Sequence, residues 1–272
     1  MTNIIISIKN LYKIFGDNPK NMMQYLLEGI TKKDLLDQHN HVLALNNINL
    51  DIKSKHIHVI MGLSGSGKST LIRHVNRLIE PTSGKIIVDG KNMLEMSDDE
   101  LREFRRFKAS MVFQKFALLP HRTVIKNVAY GLLIQGVNKV EAYERSQKWI
   151  DKVSLNGYEN SYPYQLSGGM QQRVGLARAM ATDAGILLMD EAFSSLDPLI
   201  RSSMQEILLD LQKELNKTII FITHDLNEAL RIGDQISILR DGEIIQTGSP
   251  EDILLGPKDK YISNFIKDIN RG

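Results

Sequence analysis

The stretch GLSGSGKST, from Gly62 to Thr70, decides the fold of this chain. It matches the pattern G-x-x-x-x-G-K-[ST], follows the apolar run HVIM and leads into the helical run TLIRHVNRLI. Glycines at this spacing let backbone N–H groups surround a phosphate, a lysine such as Lys68 reaches its oxygens, and the hydroxyl of Ser69 binds Mg²⁺. The stretch therefore predicts a phosphate loop that holds a nucleotide. Its residues are Gly62, Leu63, Ser64, Gly65, Ser66, Gly67, Lys68, Ser69 and Thr70.

Other short apolar runs are typical of β-strands. Two of them, residues 186–189 and 219–222, contain no polar residue, as expected of parallel strands covered on both faces by helices. The pairs Asp89-Gly90 and Asp241-Gly242 are hairpin signals, so we expect antiparallel strands beside the parallel sheet. The fold class is therefore α/β. The runs assigned to strands are IIISIKN, HIHVIMG, GKIIVDG, ASMVFQ, GILLMDEA, TIIFITHD and QISILRDGEIIQTG.

Strand signals fade in the middle of the chain, where helical stretches such as NKVEAYERSQKWIDKVSL take over. This change predicts a helical lobe inserted into the α/β core. We expect one domain over residues 1–272, with the core in 1–114 and 170–272 and the lobe in 115–169.

Composition excludes several classes of function. The net charge of +2 over 272 residues is too balanced to indicate nucleic-acid binding, and the lack of cysteine excludes disulfides, thiolate metal sites and a cysteine nucleophile. No run approaches the roughly 18 apolar residues of a membrane span, and the first ten residues lack the features of a signal peptide. Any role at a membrane is therefore expected to be peripheral.

A second candidate anion site lies in LSGGMQQRVGLARAM, residues 166–180. Ser167 can cap a helix start, and the glycines that follow let a ligand approach the unpaired N–H groups of the first turn. Met170, Val174 and Ala177 fall on one face of that predicted helix, together with Ala181.

The run ILLMDEAFSSLD ends a buried strand in two acids, which is costly unless the strand end opens on a polar site. Asp190 is placed to hold Mg²⁺ through water. Glu191 is our candidate for polarising an attacking water. The alternative is an acidic pair that caps a helix.

Two further side chains follow apolar runs. His224 ends FITH and could contact a γ-phosphate oxygen, although a lone histidine is more often structural. Gln114 closes MVFQ and could bind Mg²⁺ or position a water as a neutral oxygen donor.

Taken together and in this order, GLSGSGKST, VFQ, LSGGMQQ, LLMDEAFSSLD and ITHD resemble the motifs of the ATP-binding-cassette (ABC) ATPases, and the match covers essentially the whole chain. The resemblance implies a P-loop NTPase core with an antiparallel β subdomain and an inserted helical lobe, and ATP and Mg²⁺ as cofactors. It also implies a head-to-tail homodimer. In that dimer Ser167, Gly168 and Gly169 of one chain cover the γ-phosphate held by the other.

The resemblance assigns further residues. Asp197 joins the two sites across the dimer, and Phe15 stacks on adenine, with Tyr12 as the competing aromatic. A buried packing role is the alternative for either ring. In this family the residue that follows LSGG is usually glutamine. Here it is Met170, so Gln171 is the candidate to replace that glutamine.

Longer stretches of the sequence, such as VFQKFALLPHRTV and LLMDEAFSSLDPLIR, look like those of the ATPase subunits of glycine betaine and proline betaine importers. So does the insertion DNPKNMMQYLLEGITKKDLLDQHN, which could equally be a solvated helical decoration. This likeness implies a peripheral subunit on the cytoplasmic face of the membrane, docked on a polytopic permease and served indirectly by an extracytoplasmic binding protein. The transported solute would be glycine betaine, proline betaine, choline, carnitine or trimethylamine oxide. Because the chain stops at Gly272, we expect no paired regulatory domains.

Three alternatives stay open. One is an importer of another small solute such as an amino acid. Another is an ABC ATPase that acts on ribosomes or DNA, which is disfavoured because such relatives usually carry two cassettes or long coiled-coil arms. The third is non-catalytic regulatory binding, which is disfavoured because Lys68, Asp190, Glu191 and His224 are all present.

Overall fold

The computed structural model describes residues 3–194, 196–259 and 262–263. Ser195 of the SSLD motif and the chain end at Gly272 lie outside these ranges. The chain forms two compact units. The first contains the residues up to Ser97 together with those from His224 onward, and the second runs from Asp98 to Thr223.

Strands and helices alternate along most of the described chain. The strands are β1 (Ile4–Phe15), β2 (Val42–Lys53), β3 (Ile57–Met61), β4 (Ser83–Val88), β5 (Lys91–Asn92), β6 (Ala109–Val112), β7 (Ile186–Asp190), β8 (Thr218–Thr223), β9 (Gln235–Arg240) and β10 (Glu243–Gly248). The α-helices are α1 (Met23–Leu27), α2 (Lys32–His39), α3 (Lys68–Val75), α4 (Asp98–Phe107), α5 (Val124–Val128), α6 (Tyr130–Ile134), α7 (Lys139–Lys152), α8 (Gly168–Ala181), α9 (Pro198–Leu215), α10 (Leu226–Ile232) and α11 (Pro250–Leu255). Short 3₁₀ turns cover Pro19–Met22 and Pro163–Gln165.

The first unit contains an antiparallel sheet in the order β2-β1-β4-β5. Ile8 of β1 pairs with Leu50 on one side and with Ile86 on the other, and all three are buried. The two-residue turn Asp89-Gly90 joins β4 to β5 with both φ angles positive, as a type I′ hairpin requires. The predicted antiparallel strands are therefore confirmed.

Parallel pairing begins in the same unit, where β3 runs beside β9. Every residue of β3 is buried, which explains its unbroken apolar sequence. Strand β10 returns antiparallel to β9 through Asp241-Gly242, whose φ angles are 52° and 89°. The second predicted hairpin is thus also confirmed.

The second unit carries three parallel strands, β6, β7 and β8, with Met189 of β7 opposite both Val112 and Phe221. The central strand and β8 are buried along their whole length. The Phe193 and Phe221 rings, with centroids 5.4 Å apart, add an aromatic contact to this core. The fully apolar runs of the sequence are therefore parallel strands, as predicted.

Helices of the second unit enclose a separate apolar cluster. Asn138 caps α7 by accepting a bond from the Glu141 N–H at 3.0 Å, so the predicted helix over NKVEAYERSQKWIDKVSL is present. Val174, Ala177 and Ala181 of α8 are buried in this cluster and Met170 packs against it, which confirms the predicted apolar face. In the described ranges no helix has both the length and the apolar character needed to cross a bilayer.

The insertion of residues 17–40 contains helices α1 and α2, as the alternative of a helical decoration expected, but one side of it is packed and not solvated. Thr31 caps α2, accepting a bond from the Asp34 N–H at 3.1 Å. Leu35 of α2 is buried with Ile14 and Leu43 of the first sheet. Met22, Met23, Leu26 and Ile30 pack against the same cluster. One side of the insertion therefore stabilises the edge of the antiparallel sheet.

Two buried histidines of the first unit take part in hydrogen bonds that suit the neutral ring. One nitrogen of His74 bonds the Thr70 carbonyl at 2.6 Å, and the other, Nε2, is buried without a partner. Burial lowers the pKa of His74 to about 4, opposed by the Thr70 carbonyl. His58 bonds the Ser237 hydroxyl at 2.8 Å, and its pKa is lowered to about 4 by burial and then by Lys53.

This arrangement predicts a loss of stability in acid. Between pH 6.5 and pH 4 the unfolded histidines take up protons that the folded ones refuse, so the free energy of unfolding falls as the pH falls, by up to about 3 kcal/mol for each residue. His58→Gln and His74→Gln should each flatten this slope, measured by urea unfolding at several pH values. The exposed His121→Gln serves as control. An unchanged slope in both buried variants would contradict the explanation.

Candidate nucleotide site

Two glycines of the phosphate loop lie against main-chain carbonyls of the first unit. A Cβ atom on Gly62 would collide with the Leu239 carbonyl oxygen, and one on Gly67 would come within 2.7 Å of the Ala44 carbonyl oxygen. Gly67 also has φ 104°, a conformation that side chains disfavour. The loop can follow this path because both residues lack a side chain.

Residues of the phosphate loop differ in their exposure to solvent. The Lys68 ammonium donates a 2.9 Å bond across the loop to the Leu63 carbonyl and is 3% exposed. The Ser66 hydroxyl is buried and finds no hydrogen-bond partner among the residues that the structure describes. Leu63, Ser64 and Gly65 at the tip are exposed. Ser69 and Thr70, in the first turn of α3, are half-buried.

The turn between β9 and β10 supports the loop from behind. The Gly242 N–H donates a 3.1 Å bond to the Ser66 carbonyl, while the Gly242 carbonyl accepts a 2.8 Å bond from the Asn46 N–H. Sequence reasoning identified this turn as a hairpin but assigned it no part in the site. The contact joins residues far apart in the chain, and no local pattern signals it.

The two candidate aromatic residues lie on β1, in the same unit as the phosphate loop. Phe15 ends the strand with its side chain exposed, and the Lys13 ammonium lies 4.7 Å from its ring centroid. Lys13 also donates to the Glu80 carbonyl at 2.8 Å. Tyr12 instead lines an open polar cleft of about 470 Å³ with Asn46 and neighbours. Exposure at the strand end makes Phe15 the better stacking candidate.

His224 directly follows the last residue of β8, and its side chain is exposed. The next residue, Asp225, caps α10 by accepting a bond from the Glu228 N–H at 3.2 Å. The strand and the capped helix thus fix the backbone on both sides of His224.

In the second unit, Asp190 and Glu191 have different surroundings. Asp190 is the last residue of β7 and is 1% exposed. Glu191 is half-buried and has φ 46°, an uncommon backbone conformation for a residue with a side chain. The Ser194 hydroxyl holds it by donating a 2.9 Å bond to the Glu191 carbonyl. Asp190 is the last residue of a strand and α9 is capped by Asp197, so the described helices give the alternative of a capping pair no support.

Gln114 and Glu191 come together although 77 residues separate them. The Gln114 amide Nε2 donates a 3.0 Å bond to the Glu191 carboxylate oxygen Oε2. This bond fixes the orientation of the carboxylate, which is what a proton acceptor for water requires. In the part of the chain that the structure describes, no three His, Asp or Glu side chains cluster as a metal site.

The LSGG stretch is presented at the surface. Ser167 caps α8 through a 3.3 Å bond from the Met170 N–H to its hydroxyl, and Ser167 and Gly168 are exposed. Gly169 is half-buried against Ile200. Gln171 turns back and donates to the Leu166 carbonyl at 3.2 Å, so its amide serves a local contact.

Asp197 caps α9, since its carboxylate accepts a 3.0 Å bond from the Ile200 N–H. Pro198 occupies the first helical position, where its missing N–H costs nothing. Leu199, next in the helix, is almost fully exposed. The start of α9 is therefore a rigid surface corner with one acid and one large apolar side chain.

A family model described as ABC transporter matches residues 45–194, more than half of the chain. The chain belongs to the ABC transporter family. The family resemblance carried by the motifs is thus confirmed.

Curated relatives match nearly the whole chain. The glycine betaine transport ATP-binding protein OpuAA of Bacillus subtilis is 55% identical over 98% of this chain and 64% of its own length. The glycine betaine/carnitine transport ATP-binding protein GbuA of Listeria monocytogenes is 54% identical over 98% of this chain and 67% of its own. The trimethylamine N-oxide transport ATP-binding protein TmoW of Pelagibacter ubique is 45% identical over the full chain. The chain thus spans about two thirds of the length of the first two relatives.

Solved structures confirm the α/β fold class. The dimeric structure of MJ0796, a bacterial ABC transporter cassette, has a TM-score of 0.78 and 33% identity over 90% of this chain and 99% of that one. A post-hydrolysis dimer of the same cassette, bound to ADP and Pi, has a TM-score of 0.77 and 32% identity over the same shares.

The close carbonyl approach at Gly62 generates a prediction. Gly62→Ala should reduce stability by more than about 2 kcal/mol or displace the loop and weaken nucleotide binding, because the added methyl has no space. Gly185→Ala, where an added Cβ meets nothing, should change stability by less than about 0.5 kcal/mol. Chemical denaturation and a fluorescent ATP analogue measure both effects. Equal stability and equal nucleotide binding in the two variants would show that the Leu239 carbonyl does not exclude a side chain at residue 62.

Proposed function

We propose that this chain is the ATP-binding and ATP-hydrolysing subunit of an ABC importer. The Gln114–Glu191 hydrogen bond carries the hydrolytic part of the proposal, because it orients a carboxylate at the end of a buried parallel strand. The buried lysine and close-packed glycines of the phosphate loop support ATP binding. A similar cassette was captured with ADP and Pi, the products of hydrolysis.

Each polar residue then has a distinct role. Lys68 contacts the ATP phosphates, and Ser69, Gln114 and Asp190 are the oxygen donors for Mg²⁺, which neutralises phosphate charge when bound. Glu191 accepts a proton from the attacking water, and His224 contacts the γ-phosphate. The buried Ser66 hydroxyl supports this assignment, since no group in the described part of the chain uses its hydrogen-bonding capacity.

Two chains assemble head to tail in the proposed active form. The exposed Ser167 and Gly168 at the start of α8 offer backbone N–H groups at the positive end of a helix, which suits the γ-phosphate held by another chain. Asp197 on its exposed corner is placed to contact the facing subunit, and Phe15 stacks on adenine. The similar solved cassette is itself a dimer.

The proposed cargo is a quaternary amine such as glycine betaine, proline betaine, choline or carnitine. Relatives named for glycine betaine, carnitine and trimethylamine N-oxide transport match 98% or more of this chain. The chain would lie peripherally on the cytoplasmic face of the membrane, bound to a polytopic permease. We further propose that the helical lobe of residues 115–169 transmits closure of the dimer to that permease.

Import of an amino acid is the second candidate. The methionine import ATP-binding protein MetN of Staphylococcus haemolyticus is 45% identical, but over 84% of this chain only. The smaller coverage favours the quaternary amine.

Uptake assays separate these candidates. In the organism that carries this gene, Lys68→Ala should abolish uptake of radiolabelled glycine betaine, because the lysine contact to phosphate is lost. Uptake of radiolabelled methionine should be unchanged. Lys85→Ala, which removes an exposed lysine of β4, is the matched control and should transport normally. Loss of methionine uptake alone would favour the second candidate, and normal uptake of both would refute the proposed function.

A further inference from the structure

An arginine of α8, the helix that begins in the LSGG stretch, binds the segment that follows Gln114. Arg178 of α8 donates from Nη1 to the Ala117 carbonyl at 2.7 Å and from Nη2 to the Phe116 carbonyl at 3.0 Å. Both acceptors belong to the irregular segment between β6 and α5, which we call the glutamine segment and define as residues 114–117. One guanidinium group thus donates hydrogen bonds to two successive peptide carbonyls.

The backbone of this segment needs such support. Phe116 and Ala117 have φ angles of 55° and 47°, so two consecutive residues with side chains adopt the left-handed conformation. That conformation costs roughly 1–2 kcal/mol for each residue and persists only where surrounding contacts impose it. Arg178 supplies contacts of this kind, because the planar fork of its guanidinium matches two adjacent carbonyls.

The same segment lies near the start of α8. A Cβ atom built on Gly168 would lie 3.8 Å from the tip of the Phe116 ring, which is ordinary van der Waals contact. A Cβ on Gly175, midway along α8, would lie 3.8 Å from the Phe116 carbonyl oxygen. Phe116 therefore lies along α8 from the LSGG stretch towards Arg178.

At its other end the segment reaches the catalytic carboxylate. Gln114, two residues before Phe116, donates the 3.0 Å bond to Glu191 described above. A continuous set of contacts therefore runs from α8 through Arg178 and Phe116 to Gln114 and Glu191, all within the second unit.

We propose that Arg178 is a positioning residue for hydrolysis. Arg178 fixes the glutamine segment on α8 and thereby places the Gln114 amide against the Glu191 carboxylate. Movement of α8 therefore changes the orientation of Glu191. The inference rests on the proposed ATPase function. It assigns to α8 a second task besides presenting Ser167 and Gly168, because the same helix controls the carboxylate of its own chain.

A double-mutant cycle on the full chain tests the proposal. Arg178→Met should lower kcat for ATP about tenfold and change the KM for ATP much less, because the displaced Gln114 amide no longer orients the Glu191 carboxylate while the Lys68 contact to the phosphates stays in place. Arg178→Lys should recover part of the loss. In a Gln114→Ala background, Arg178→Met should lower kcat less than twofold further, since the group through which it acts is already gone.

The matched control is Arg173→Met on the same helix. Arg173 donates to the Val153 carbonyl at 3.2 Å, which lies outside the glutamine segment. This variant should keep kcat within threefold of wild type at a comparable melting temperature. If Arg178→Met does not fold, Arg178→Lys and Phe116→Ala enter the same cycle, because Phe116→Ala removes the ring that lies near Gly168 and leaves the guanidinium intact.

The outcomes separate the inference from the proposed function. A wild-type chain with no more ATPase activity than Lys68→Ala would remove the function on which the inference rests. An active wild type with kcat unchanged in the Arg178 variants would refute the inference alone. Losses that multiply fully in the double variant, or equal losses in Arg173→Met, would show that Arg178 acts only through general stability.

Discussion

Two glycines of the phosphate loop lie so close to neighbouring carbonyl groups that no side chain fits between them, and the nucleotide site depends on this contact. The Leu239 carbonyl of β9 leaves no space for a Cβ atom at Gly62, and the Ala44 carbonyl of β2 leaves none at Gly67. The Gly242 N–H then bonds the loop at Ser66, so the hairpin turn supports it from behind. A loop fixed in this way presents its N–H groups to a phosphate without reorganising, which is where electrostatic binding gains most.

A second constraint acts where the parallel strands of the other unit end. Strands β7 and β8 are buried throughout, so their residues must be apolar until the chain leaves the sheet. Asp190 and Glu191 fall at that point, and Glu191 adopts a left-handed conformation that turns it away from the strand direction. Its bond from the Gln114 amide fixes the orientation of the carboxylate. The proposed roles of these two acids follow from their different surroundings.

Local sequence patterns predicted much of this architecture. The unbroken apolar runs proved to be parallel strands, and both Asp-Gly pairs proved to be hairpins, because burial and φ preference act over a few residues. The contacts that determine the site geometry act over longer separations. Arg178 lies 61 residues from Ala117, and Gly242 lies far from Ser66 in the chain, so neither contact has a local signal. The partial burial of the 17–40 insertion likewise depends on an apolar sheet edge elsewhere in the chain.

We propose that the exposed Ser167 and Gly168 of one chain complete the phosphate loop of another. Single cysteines can test this directly, because the natural chain has none. Ser64→Cys at the exposed loop tip and Gly168→Cys should be mixed as differently tagged chains, each also carrying Glu191→Gln to slow hydrolysis, and treated with a short bifunctional thiol reagent. A head-to-tail dimer should give cross-links between unlike chains in Mg-ATP and few without nucleotide. Cross-links between like chains, or none that depend on ATP, would contradict it.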